Sequence, residues 1–166
     1  MTIDEVIRGR RTLKGYKPEP IDPAVIDELL DLATYAPNHH TTEPWRFTVV
    51  GPATIAKLVA ATDDGKLTRS PTAIVVTQVV DADEDTARED YAACACAIQN
   101  VMLAARAREI ASYWRTPSSL LQPAARTILG LGKDELVIGI VHIGWPTGGF
   151  PAPPRRVAGT RARRLA

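Results

Sequence analysis

Three short segments of this 166-residue chain carry residues whose types and spacing could do chemistry. The first is Arg10-Arg11-Thr12, two guanidiniums and a hydroxyl in a row, with Lys14 and Lys17 close behind. Arginine presents a planar fork of donors and threonine adds a neutral one, so the trio could grip a phosphate. An isolated Arg-Arg pair is otherwise an ordinary solvated turn. The second segment runs from Ala36 to Trp45, APNHHTTEPW, and offers several neutral donors and acceptors to a polar ring system. Pro37 and Pro44 equally mark a rigid connection. His39 and His40 are adjacent, and nothing has His-x-x-x-His or Cys-x-x-Cys spacing, so no metal site is expected. The third is Tyr113-Trp114-Arg115-Thr116. An aromatic beside a cation can stack on and charge-stabilise a flat anionic ligand, although a lone Trp-Arg also fits plain packing beside a surface charge.

Other chemistries lack their signatures. There is no Gly-x-Gly-x-x-Gly, no Walker loop and no Gly-x-Ser-x-Gly elbow. No pair of carboxylates is spaced for acid/base work, so if the chain is an enzyme, a cofactor carries the hard chemistry. Cys94 and Cys96 are the only cysteines. They fall in an alanine-rich helix, where i,i+2 residues do not share a face, and are expected to be two small buried packers. His142, inside an apolar strand, is expected to be a satisfied core or interface histidine.

The charge is nearly balanced, with 20 Lys+Arg against 19 Asp+Glu for a formal net of +1, but unevenly placed. Residues 8–17 and 150–166 each hold five bases and no acid, whereas residues 18–149 hold ten bases against seventeen acids. An arginine-tailed module binding nucleic acid is therefore a remote alternative. The acidic body and the lack of aromatic stacking platforms weigh against it. No uncharged apolar run reaches the roughly 18–20 residues of a bilayer span, and the N-terminal residues lack the apolar core of a secretory signal. A cytoplasmic protein with no membrane or nucleic-acid partner is expected.

The positioning elements read clearly. Thr2-x-x-Glu5 has capping-box spacing ahead of a short helix. Asp22-Pro23 starts a helix over 23–34 with Val25, Ile26, Leu29, Leu30 and Ala33 on its apolar side. Strands are predicted over RFTVV (46–50), TAIVVTQVV (72–80), EIASYWR (109–115) and LVIGIVHIGWP (136–146), and helices near 53–61, 84–108 and 118–130. Pro123 fits best in a first turn, which blurs that last boundary. After Trp145 the chain turns rich in proline and arginine and cannot build a core of its own. Without regular βαβ alternation, the pattern predicts an α+β sandwich around a small mixed central sheet flanked by helices.

Taken in order, these pieces resemble the nitroreductase family of flavin enzymes. The likeness rests on RRTLKGYKPEPID, the helix ending ATYAPNHHTTEPWRFTVV, the strand TAIVVTQVV, the long alanine-rich helix, SYWRTP and VIGIVHIGWP. It covers nearly the whole chain and is nearest the small single-domain type. It implies a nitroreductase-like FMN-binding domain over 1–150 and a Pro/Arg-rich arm over 151–166 that reaches a partner in a homodimer. It further implies FMN as cofactor, NADH or NADPH as electron source, and a nitroaromatic, quinone or similar small molecule as acceptor in a ping-pong sequence. By position, Arg10, Arg11 and Thr12 would hold the FMN phosphate and ribityl chain. Tyr35 and His39 would lie along the flavin from one or the other subunit, and Trp114, Arg115 and Thr116 would form the third contact segment. Arg115 is the candidate electrostatic stabiliser, and Arg155 or Arg156 would add to the phosphate grip. Three departures from the family pattern stand out: Glu43 where Gln is usual, Tyr35 where Arg is frequent, and a short 62–71 link that would remove part of the substrate pocket's cover. An FMN-binding relative with another reaction (dehydrogenation, dehalogenation or flavin fragmentation), or a non-catalytic flavin binder, is the alternative.

Overall fold

The computed structural model describes residues 1–151, 155, 162, 163 and 165. Arg156 and most of the expected arm lie outside the described residues. Five α-helices and four strands alternate irregularly: α1 (Ile3–Gly9), α2 (Pro23–Thr34), β1 (Trp45–Val50), α3 (Pro52–Thr62), β2 (Thr72–Val79), α4 (Glu84–Ala107), β3 (Ala111–Arg115), α5 (Pro123–Leu129) and β4 (Glu135–Gly144). Short 3₁₀ turns occupy His39–Thr41, Gly65–Arg69 and Ser118–Leu121.

The helix starts follow from side chains. The Thr2 hydroxyl accepts from the Glu5 backbone N–H while the Glu5 carboxylate accepts from that of Thr2, closing the predicted capping box. Asp22 caps α2 by accepting from the Ala24 N–H, with Pro23 in the first turn. The predicted 118–130 helix is two pieces. Pro123 has no N–H to continue a preceding helix, so it opens α5 after the separate turn over Ser118–Leu121.

The strands form one sheet in the order β1-β2-β4-β3, and every named pair is antiparallel. The α+β sandwich is therefore as expected, but the sheet is antiparallel rather than mixed. The only parallel pairing among the described residues is an isolated bridge between Thr12 and Ser112. Because the strands are joined through helices and long loops, sequence pattern alone could not fix their directions.

β2 is buried along nearly its whole length, and its alternating side chains enter two cores. Ile74 and Val76 join Leu29, Ala33, Ala97, Ile98 and Val101 beneath α2 and α4. Ala73 and Val75 join Ile55, Leu58, Ala125 and Leu129 beneath α3 and α5. A strand with helices on both faces needs apolar residues at every position, which is why TAIVVTQVV has no polar alternation.

α4 also corrects the reading of the cysteines. Cys94 is buried, and burial pushes its thiol up to about 12, whereas Cys96 is exposed. Two helical positions turn by roughly 200°, so one cysteine had to face away from the sheet.

Candidate functional site

The first predicted segment leaves α1 at Arg10, whose extended backbone ends the helix. The chain then runs alongside the far end of the sheet. Thr12 bridges to Ser112 of β3, and the Leu13 N–H donates to the Ser112 carbonyl at 3.4 Å. Further on, Lys17 N–H donates to Trp145 O at 2.8 Å and Thr147 N–H to Gly15 O at 3.3 Å. These main-chain bonds attach the first segment to β3 at Ser112, two residues before Trp114, so the first and third sequence-predicted groups meet on the same strand.

Within the trio the arginines differ. Arg11 folds back, its Nη1 donating to the carbonyls of Arg8 and Arg10, both at 2.6 Å. Its Nε is buried without a partner among the described residues. Arg10 is half-buried, and partial burial, then the charges of Arg11 and of exposed Arg155, lower its affinity for its proton. Cations gathered this closely repel one another until an anion joins them. Thr12 is exposed.

The third segment sits on β3 and the loop that follows. Tyr113, Trp114, Arg115, Thr116 and Pro117, with Tyr91 of α4, line a cavity of about 530 Å³. Trp114 packs against Gly139 of β4, beside a β-bulge where Val76 pairs with Gly139 but Thr77 with Val137. The indole Nε1 is buried and unpartnered among the described residues. Lys14 and Arg69 each lie 5.5 Å from the Tyr113 ring, and His142 stacks on it at 6.0 Å.

Arg115 is held from a direction the sequence did not signal. Its Nη2 donates to Asp64 Oδ2 at 3.2 Å, and the Ser119 hydroxyl donates to the same oxygen at 2.8 Å. Burial alone would raise the Asp64 carboxyl, but the Ser119 hydrogen bond, the Arg115 charge and the Lys66 N–H outweigh it and hold it below the usual carboxylate range. Arg115 Nη1 stays buried and unpartnered among the described residues. The 62–71 link is not slack: it seats Leu67 in the core, lays Asp64 against Arg115 and brings Arg69 near Tyr113. A single Asp in a DDGK loop has no periodicity or motif to announce it.

His142 is only half satisfied. Ser70 Oγ gives its one proton to the Thr72 carbonyl at 2.6 Å and so accepts from His142 Nδ1 at 3.0 Å. That leaves Nε2 as a bare acceptor, buried with no donor among the described residues. Burial, then the charges of Arg115 and Arg69, push the imidazole down to about 4, with Asp64 opposing them.

The second predicted segment lies elsewhere in the chain. Tyr35 ends α2 and is 75% exposed. His39 Nδ1 pairs with Glu89 Oε2 of α4 at 2.5 Å and its ring stacks on His40 at 3.8 Å. His39 lines a separate cavity of about 390 Å³ with Pro37, Asn38, Glu89, Ala92 and Cys96. Glu43 is exposed in the left-handed region, its N–H held by Asn38 Oδ1 at 3.0 Å. Tyr35 and His39 thus line neither β3 nor the cavity at Trp114.

A family model described as "Nitroreductase family" matches residues 7–65 and 60–145. A Bacillus subtilis (strain 168) protein named "Putative NAD(P)H nitroreductase YfhC" is 32% identical over 161 residues, covering 86% of this chain and 83% of its own. The crystal structure of a nitroreductase-like family protein from Bacillus cereus superposes with a TM-score of 0.90 at 26% identity, over 99% of this chain and 96% of that one. A Bacteroides fragilis NCTC 9343 nitroreductase solved with bound FMN gives a TM-score of 0.80 at 25% identity over the whole of both chains. With the family model spanning most of the residues and the fold matching throughout, the chain belongs to the nitroreductase family.

Proposed function

We propose that the protein is an FMN-dependent oxidoreductase that takes electrons from NADH or NADPH and passes them to a nitroaromatic, quinone or similar acceptor. The observation that supports this reading is the Thr12–Ser112 pairing, which joins the Arg10–Thr12 segment to β3, the strand that carries Trp114 and Arg115. The residues present fit the cofactor. Arg11 Nε and Arg115 Nη1 are buried with no protein acceptor among the described residues, and a phosphate-bearing polar ring system offers acceptors of that kind. The relatives named as nitroreductases and the FMN-bound neighbour support the same choice.

Bound FMN would supply the redox chemistry. The chain's own residues bind and orient. Arg10, Arg11 and Thr12 hold the phosphate and ribityl chain, with Arg155 adding charge. Trp114 and Thr116 would lie along the bound ring, and Arg115 would supply positive charge to it. Donor and acceptor use one site in turn, which makes the kinetics ping-pong. Tyr35 and His39 serve the flavin of a second copy, which makes the working unit a homodimer.

The test is steady-state oxidation of NADH and of NADPH by FMN-loaded protein, with and without a nitroaromatic or quinone. Acceptor-dependent oxidation with parallel double-reciprocal lines is expected. Flavin-loaded protein that oxidises neither nucleotide would overturn the reading.

A further inference from the structure

Arg115 and Asp64 form the most enclosed ion pair among the described residues, with side chains 13% and 15% exposed. Around them, Thr62, Lys66, Pro117, Ser119 and Gln122 line a cavity of about 520 Å³, and Arg115 lines both this cavity and the one at Trp114. Arg115 is therefore shared by two cavities. One arm, Nη2, is tied to Asp64, and the other, Nη1, is buried and untied among the described residues. Ser119 fixes the Asp64 carboxylate, and the Lys66 N–H donates to its other oxygen at 3.1 Å. The carboxylate is thus anchored independently of Arg115 and cannot easily follow it.

We propose that Asp64 is a positioning residue for Arg115, fixing the guanidinium against the Trp114 cavity and offsetting its charge, and so setting a lower reduction potential for the bound flavin than a bare arginine would. The inference rests on the reading that the flavin lies against residues 114–116. The physical basis is the distance dependence of Coulomb energy in a partly buried site. A cation paired at 3.2 Å projects a much weaker field than an unpaired one, so it stabilises added negative charge on a neighbouring ring less. The lowered proton affinity of the Asp64 carboxyl keeps this offset in place at neutral pH. Asp64 also stands on the link between α3 and β2, so that segment carries the charge that offsets Arg115.

The test uses the full-length FMN-loaded protein and compares Asp64→Asn, Asp64→Glu and Ser119→Ala by midpoint potential. Asp64→Asn is expected to move the potential to more positive values. Ser119→Ala, which loosens the same carboxylate, moves it in the same direction by less, and Asp64→Glu, which keeps the charge, stays near the wild type. A purely structural role would shift Asn and Glu variants alike. Overturning results are an unchanged potential in flavin-loaded Asp64→Asn, or equal shifts for Asn and Glu. If Asp64→Asn does not fold, Ser119→Ala decides: a positive shift supports the proposal and an unchanged potential overturns it. Wild-type protein that takes up no FMN instead overturns the reading beneath the proposal, and the proposal with it.

Discussion

Gly139 of β4 leaves the space that the Trp114 indole fills. A Cβ at position 139 would overlap both Trp114 Nε1 and the carbonyl oxygen of Arg115. A missing methyl group on one strand thus seats the aromatic and the cation of its neighbour. The bulge beside it, where β4 carries one residue more than β2, brings Gly139 to that register.

Replacing Gly139 by Ala is therefore expected to push Trp114 and Arg115 out of place. The cost in stability is about 1–3 kcal/mol, the range for overpacking a filled interior. Flavin affinity should fall as well. Urea unfolding gives the first quantity and FMN titration of the folded variant the second.

Arg10 and Arg11 should separate in mutagenesis. Arg11 ties its own turn through the carbonyls of Arg8 and Arg10, whereas Arg10 donates to no protein acceptor among the described residues. Arg10→Gln is expected to weaken FMN binding by roughly 10–100-fold, the loss of a charge-assisted hydrogen bond, with little change in unfolding. Arg11→Gln should weaken both. Binding isotherms at two salt concentrations check it, since the wild-type affinity should fall with salt more steeply than that of Arg10→Gln.

His142 predicts an acid-sensitive fold. Its imidazole is neutral in the native protein, with a value near 4 against 6.5 when exposed. The unfolded chain binds the extra proton between those values, so the stabilisation is complete above pH 6.5 and is lost as pH falls toward 4. From pH 7 to pH 5 the loss should be on the order of 1–2 kcal/mol. His142→Gln should flatten that limb in urea unfolding series, and an equally steep limb in the variant would contradict the assignment.

Much of this was legible in the residues. The caps at Thr2 and Asp22, the doubly buried strand at 72–79 and the proline break at 123 all express local rules that hold whatever the tertiary context. Arg10 to Thr12 and Trp114 to Thr116 could be named as candidate binding segments from their side-chain chemistry. That both meet on β3 depends on Thr12 pairing with Ser112, a contact a hundred residues apart with no periodicity to report it. Asp64, Ser119 and Gly139 were hidden for the same reason. Each is unremarkable in its own segment and acquires a role only through the β3 residues it meets.

Glu109 offers a stabilising change. α4 ends in a Schellman turn, with Ile110 N–H donating to Ala105 O at 2.9 Å and Glu109 N–H to Arg106 O at 3.0 Å. Glu109 takes the left-handed position at φ 58°, where glycine is at ease and a side chain is strained. Glu109→Gly is expected to gain roughly 0.5–1 kcal/mol after the entropy of the freer unfolded chain is counted. Flavin affinity should not change.

The most direct measurement is FMN titration of the purified full-length protein, read by flavin fluorescence and by the visible flavin absorption band. Saturation at one FMN per chain, with affinity reduced by Arg10→Gln and by Gly139→Ala, is the expected result. A colourless protein that cannot be loaded with FMN would contradict the assignment of Arg10, Arg11, Thr12 and the Trp114 segment as one flavin site.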